Sequence, residues 1–186
     1  MRVLVYDKTQ GFLSFLWSLG QYFSKFDLVI PARNWADVIY ALEMADDVEE
    51  LQFWGHGTSG GAFINGSPTT KQILTSIGLA GNFRASPRSF IWWRACSVFS
   101  RQIGANFAAS AVKATGCSHV GHTRIVSAPW PMFQSGGYGL RVGEEVWWDP
   151  DEGLNKLGEC KGSHPFVKNT IFVLKMSVPS HWWFGH

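Results

Sequence analysis

The stretch ELQFWGHGTSGG, residues 50–61, decides how the chain folds. Its apolar residues Leu51, Phe53 and Trp54 stop at Gly55, and His56 follows between two glycines, ahead of a loop of small residues. A short apolar run closed in this way reads as a buried strand of a parallel sheet. Glycine on both sides of the histidine lets the chain turn sharply and lets a second backbone approach. The strand thus ends by delivering one imidazole to the rim of the sheet.

A second stretch, RSFIWWRAC at residues 88–96, is apolar on both alternating faces, as a fully buried strand requires, and it ends at Cys96. Between the two, SPTTKQILTSIGL (67–79) predicts a helix opening after Ser67 with Pro68 in its first turn. Upstream, RVLVY (2–6) predicts a first strand ending at Asp7. GFLSFLWSLGQYFS (11–24) predicts a helix weakened by Gly20, and FDLVIP (26–31) a second strand. A further helix spans 34–45 with Asn34 as its cap. After Cys96, residues 101–114 set Ile103, Phe107, Ala108, Ala111 and Val112 on one side of a helix, and CSHVGHT (117–123) is a short fifth strand.

Short strands alternating with helices predict an α/β fold, a three-layer α/β/α sandwich with a mostly parallel sheet. A chain of 186 residues suffices for one domain, 1–186. Residues 127–186 form its C-terminal elaboration. There, 127–153 is rich in Pro, Gly and Trp and reads as a long structured loop with a hairpin; its SGGYG (135–139) reads as a flexible loop or substrate lid. NTIFVLKMSV (169–178) reads as the last strand.

Composition narrows the function. With 46% hydrophobic and 16% charged residues the chain is not a disordered one. Its net charge of +2 arises from 16 basic and 14 acidic residues without a basic run, so nucleic acid is not an expected partner. Three cysteines, Cys96, Cys117 and Cys160, lack zinc-finger spacing, which points to a reducing, cytoplasmic setting. The N-terminus turns polar after six residues, too soon for the apolar core of a signal peptide, and no membrane span is expected.

In open parallel sheets ligands bind at the carboxyl ends of the strands. His56 leaves the third strand, Cys96 the fourth and His122 the fifth. A cysteine thiolate attacks, an adjacent imidazole moves its proton, and backbone N–H groups stabilise the oxyanion. The N–H groups of Gly57 and Cys96 are the candidate donors. His122, followed by Thr123, reads as a wall of the crevice. Cys117 and His119 share one strand face and His122 takes the other, so the three do not converge on a metal without a bulge. EEVWWDPDEG (144–153) lacks calcium-loop spacing. Neither a metal nor another cofactor is expected.

A hydrophobic strand ending in His-Gly, then a helix, then a hydrophobic strand ending in Ala-Cys resembles the caspase-like cysteine peptidases, a group that includes legumains, gingipains and clostripain. Here the two parts are LQFWGHG and FIWWRAC. Residues 34–123 also resemble bacterial caspase-like domains of large surface proteins. The resemblance implies a caspase-like fold, a His56–Cys96 dyad and a peptide or protein substrate. It also implies that Arg94, two residues before the cysteine, lines the pocket for the side chain preceding the cleaved bond. A guanidinium there favours an acidic side chain; Asp7, if it lay in the same pocket, would favour a basic one.

Two other functions fit the same residues. One is a catalytically silent interaction module that meets a protein partner through exposed Trp, since the chain holds ten, several of them paired; such pairs fit core as well as interface, and the two in the C-terminal PSHWWFGH read first as packing back onto the domain and second as a partner-binding or membrane-interface tail. The other is a domain that only processes itself.

Overall fold

The computed structural model describes residues 1–23, 25–83, 88–126, 133–134, 137–160 and 171–172. In chain order its elements are β1 (Arg2–Asp7), α1 (Phe12–Ser18), α2 (Gly20–Phe23), β2 (Leu28–Ala32), α3 (Trp35–Glu43) and β3 (Glu50–Trp54). There follow β4 (His56–Thr58), β5 (Gly61–Ile64), β6 (Ser67–Pro68), α4 (Lys71–Ala80) and β7 (Phe90–Arg94). The remainder are α5 (Arg101–Thr115), β8 (Ser118–His122), β9 (Phe133–Gln134), β10 (Gly137–Leu140) and β11 (Ile171–Phe172).

Six strands form the main sheet in the order β10-β8-β7-β3-β1-β2. The five strands β2, β1, β3, β7 and β8 run parallel, and β10 closes the edge antiparallel to β8. Alternation sorts the side chains into two layers. Val3, Val5, Leu51, Phe53, Ile91 and Trp93 pack with Val38 and Leu42 of α3, Leu74 and Ile77 of α4 and Phe107 and Ala111 of α5. On the opposite face Leu4 and Trp54 pack with Trp17 of α1. The expected three-layer α/β/α sandwich with a mostly parallel sheet is therefore the observed architecture. No described helix is long and apolar enough to cross a membrane.

The second face also carries a polar ladder. Arg2 pairs with Glu50 at 2.7 Å, Gln52 donates to Glu50 Oε1 at 2.5 Å, and Trp54 Nε1 donates to Gln52 Oε1 at 3.0 Å. Burying these groups is tolerable because each is hydrogen-bonded to the next.

Several boundaries differ from the sequence reading, each for a physical reason. The helix expected over 11–24 divides at Leu19 into α1 and α2. Gly20 starts the second piece against the Trp54 ring, where a Cβ would lie 2.7 Å from ring carbons. Asn34 caps α3 as expected, accepting from the Asp37 N–H at 2.9 Å, while Asp37 in return accepts from the Arg33 N–H. The next helix, however, starts three residues later than the sequence suggested. Ser67–Pro68 pairs with β5, and Thr70 caps α4 through the Ile73 N–H. Proline suits such an edge because it has no N–H to leave unpaired.

The three-stranded sheet β4-β5-β6 was not read from the sequence. Its signal was Asn65-Gly66, both with positive φ (51° and 74°), the dipeptide that two-residue hairpins favour. SGGYG, read as a loop or lid, contributes Gly137–Gly139 to β10, which extends to Leu140 and pairs with His119–His122. Two glycines in four residues hide that strand. The expected last strand appears as Ile171–Phe172, paired with β9 outside the main sheet. The rest of that strand and the tail PSHWWFGH lie outside the described residues.

Candidate active site at the carboxyl edge of the sheet

β3 and β7 are parallel neighbours whose register pairs Phe53 with Trp93 and Trp54 with Arg94. Two residues further on, the chain reaches His56 on one strand and Cys96 on the other. Neighbouring strands lie about 4.8 Å apart, so the two leave the sheet side by side. Gly57 makes the junction tight: a Cβ there would lie 2.8 Å from Ala95 Cβ and 2.9 Å from the Cys96 carbonyl oxygen. The glycine after the histidine is thus required by close approach of the cysteine-bearing backbone.

His56 opens β4, opposite Phe63 of β5, and is exposed. Its ring meets the Trp17 indole edge-on at 5.3 Å between centroids, a contact that orients the imidazole. Cys96 is half-buried, and its thiol points to the Val126 carbonyl with Sγ 3.7 Å from the oxygen. Burial raises its pKa above the ordinary thiol value, only partly offset by backbone hydrogen bonding.

The turn after Cys96 is strained and heavily tied. Ser97 has φ 55°, a left-handed conformation that non-glycine residues adopt at a cost of about 1 kcal/mol or more. Its N–H donates to the Arg124 carbonyl at 2.8 Å, the Phe99 N–H to the His122 carbonyl at 3.0 Å, and the Gly60 N–H to the Val98 carbonyl at 3.1 Å. The end of β8 and the β4–β5 turn therefore hold the cysteine turn from both sides. Strained backbone maintained by its surroundings is typical of functional sites.

A cleft of about 570 Å³ opens beside this turn, lined among others by Gly57, Thr58, Cys96, Ser97, Arg101 and Cys160. Cys160, which carries no role in the sequence reading, brings a second sulfur into it. Its Sγ lies 3.6 Å from Ser100 Oγ.

Arg94 sits one strand position behind the cysteine turn, on the face away from α3, α4 and α5. Its guanidinium is buried at 3% exposure and lies between two indoles, 4.2 Å from the Trp92 centroid and 4.4 Å from that of Trp54. Nη1 donates to Gln52 Oε1 at 3.1 Å, whereas Nε and Nη2 have no hydrogen-bond partner among the described residues. Burial lowers its pKa to about 9, against the pull of Glu50, so it stays charged at neutral pH.

The remaining expected site residues are enclosed. The Asp7 carboxylate is buried and accepts four hydrogen bonds, from the Thr9 N–H and Oγ1, from Gln10 Nε2 and from the Asn65 N–H. That arrangement ties the β5–β6 turn to the end of β1 and spends the carboxylate's acceptor sites. His122 and Thr123, expected to wall the crevice, are fully buried instead, because β10 covers their edge. Trp92 Nε1 donates to His122 Nε2 at 3.1 Å.

His119 is equally buried, and its bonds determine its tautomer. Trp93 Nε1 donates to Nδ1 at 2.8 Å, so the ring proton is on Nε2, facing Thr115 Oγ1 at 2.8 Å. Burial lowers its pKa to about 3. The Cys117 thiol, pushed up to about 12 by burial, lies 3.9 Å from the same nitrogen. Cys117 and His119 face the helix-covered core and His122 the other side, as strand alternation required. No cluster of metal-binding side chains occurs among the described residues.

Among the described tryptophans, Trp17, Trp35, Trp54, Trp92, Trp93 and Trp148 are buried and Trp147 is exposed. Of the described pairs, Trp92-Trp93 is core, while Trp147-Trp148 has one ring exposed and one buried.

No protein-family model and no curated protein matches this sequence. Among solved structures, a secreted C11 cysteine protease from Bacteroides thetaiotaomicron, seen in complex with an irreversible peptide inhibitor, is similar at 14% identity and a TM-score of 0.45. The match covers 67% of this chain and 49% of that one, so the chain spans about half of that protein's length.

Proposed function

We propose that the chain is a cysteine endopeptidase of the caspase-like type, with Cys96 as nucleophile and His56 as general acid and base. The observation that carries this reading is the β3–β7 register, which sends His56 and Cys96 out of adjacent parallel strands at one edge. Cys96 is held as a thiol at rest, so the imidazole takes its proton as the sulfur attacks the peptide carbonyl. His56 then protonates the leaving amine, and water hydrolyses the thioester by the reverse transfers. The N–H groups of Gly57 and Cys96 serve as oxyanion donors.

Arg94 supports a preference for an acidic side chain before the cleaved bond. Among the described residues its buried Nε and Nη2 lack partners, and a carboxylate there would gain two charge-assisted hydrogen bonds. The test is a peptide library read by mass spectrometry. Cleavage after Asp or Glu, abolished by Cys96→Ala, is the expected result; cleavage only after Arg or Lys would overturn the specificity, and unchanged cleavage by Cys96→Ala would overturn the nucleophile.

A second reading, a caspase-like interaction module without turnover, is favoured by one observation: burial disfavours the attacking thiolate form of Cys96. A library left intact by the wild-type chain would select it.

A further inference from the structure

Cys160 lies beyond any role in the dyad, yet it occupies the same cleft as Cys96. It arrives there on the segment after Trp148, which is fastened to α5: the Arg101 N–H donates to the Pro150 carbonyl at 2.8 Å, and Arg101 Nη2 donates to the Gly158 carbonyl. A bridge between Leu154 and Cys160 and an Asn155 N–H bond to the Glu159 carbonyl shape the final turn. The sulfur is therefore placed by the fold.

Its surroundings are built for an anion. Cys160 faces the N-terminal end of the 15-residue α5, whose orphan N–H groups carry partial positive charge. Ser100, at the cap position of that helix, makes no side-chain cap bond, and its Oγ and the Cys160 sulfur share a contact at 3.6 Å in which either can donate. Ser97, 3% exposed, also lines this cleft. Burial pushes the Cys160 thiol up, but the hydroxyls of Ser97, Ser100 and Ser59, together with Arg101, bring it below the ordinary value. Cys96, across the cleft, is shifted the opposite way. One lining wall thus carries the more ionised sulfur and the other a protonated one.

We propose that Cys160 is an oxidant-sensitive modification site, at which a peroxide forms a sulfenic acid that then condenses with Cys96 to close the cleft by a disulfide. In the first step the Cys160 thiolate attacks a peroxide oxygen, the O–O bond breaks, and hydroxide or alkoxide leaves; sulfur is oxidised and peroxide reduced. In the second, the Cys96 sulfur displaces the hydroxyl of the sulfenic acid, its proton leaves with that oxygen as water, and the S–S bond forms. A dithiol, or two equivalents of a low-molecular-weight monothiol, restores both cysteines by exchange and is itself oxidised to its disulfide. The loss of peptidase activity on oxidation rests on the function proposed above; the disulfide does not.

The test treats the full chain with hydrogen peroxide and reads intact mass and proteolytic peptides. The expected result is loss of two hydrogens, a Cys96–Cys160 linked peptide pair, and reversal by added thiol. Cys160→Ser should abolish the cross-link, and Cys96→Ser should leave a sulfenic acid on Cys160 that a 1,3-dicarbonyl reagent traps. Before oxidation, a small alkylating reagent near pH 7 should modify Cys160 at least about tenfold faster than buried Cys117, and Ser100→Ala should narrow that gap. First oxidation at Cys96, or a trapped Cys160 sulfenic acid in the wild-type chain with no cross-link, would overturn the proposal. A cross-link in a chain that cleaves no peptide would leave it standing and remove the peptidase; cleavage without a cross-link would do the reverse.

Discussion

The molecule contains two cysteine–histidine neighbourhoods made of the same side chains, and they differ in everything but composition. Cys117 and His119 lie within and beside β8, both buried, with every ring nitrogen of His119 engaged: Trp93 on one side and Thr115 on the other. His56 and Cys96 lie just past the ends of β3 and β7, where the imidazole is exposed and the sulfur borders a cleft. The first pair is structural because packing has saturated it. The second, where the sheet ends, is the pair proposed to carry chemistry.

Breaking the second pair should produce the largest effect. His56→Ala is expected to slow acylation of Cys96 by a peptide-based electrophile by about 10²-fold or more, the usual weight of a general base, while thermal unfolding moves little because the ring is exposed. Rate constants from labelling time courses, set beside melting curves, check both halves. Gly57→Ala should come next. Its Cβ would meet the Cys96 carbonyl and Ala95 at under 3 Å, so a cost of roughly 1–3 kcal/mol in stability is expected, with the same labelling reaction impaired.

The first pair should answer to pH instead. The folded-state pKa of His119, about 3, lies below the ordinary 6.5, so the unfolded chain binds the extra proton in that interval. His119 therefore leaves stability intact above pH 6.5 and erodes it by roughly 1.4 kcal/mol per unit as pH falls toward 3. Denaturant titrations across this range should show a shallower acid slope for His119→Gln than for the wild type. The smallest change is expected from Cys117→Ser: about 1 kcal/mol of destabilisation and no change in Cys96 labelling, because the sulfur lies in the core with Thr115 and His119 as its polar neighbours.

The difference between the pairs was partly legible in the sequence. The stretch 88–96 reads as a buried strand because it is apolar on both faces, and the apolar residues Leu51, Phe53 and Trp54, halted by the glycines about His56, marked the other strand and its end. Strand alternation separated His119 from His122. The burial of His122 was hidden, because it depends on β10, whose Gly-Tyr-Gly-Leu carries little strand propensity. Cys160 was hidden for another reason: a segment without helical or strand periodicity reaches the cleft through Arg101 and its backbone bonds. Asp7 looked like a free carboxylate at a strand end, and only the fold reveals its four donors.

The most direct measurement is the rate at which a peptide acyl electrophile labels Cys96 in the wild-type chain, in His56→Ala and in Cys160→Ser. Fast labelling of Cys96, greatly slowed without the imidazole and unchanged without the second sulfur, is the expected result. Labelling of Cys96 that is indifferent to the His56 substitution would contradict the dyad.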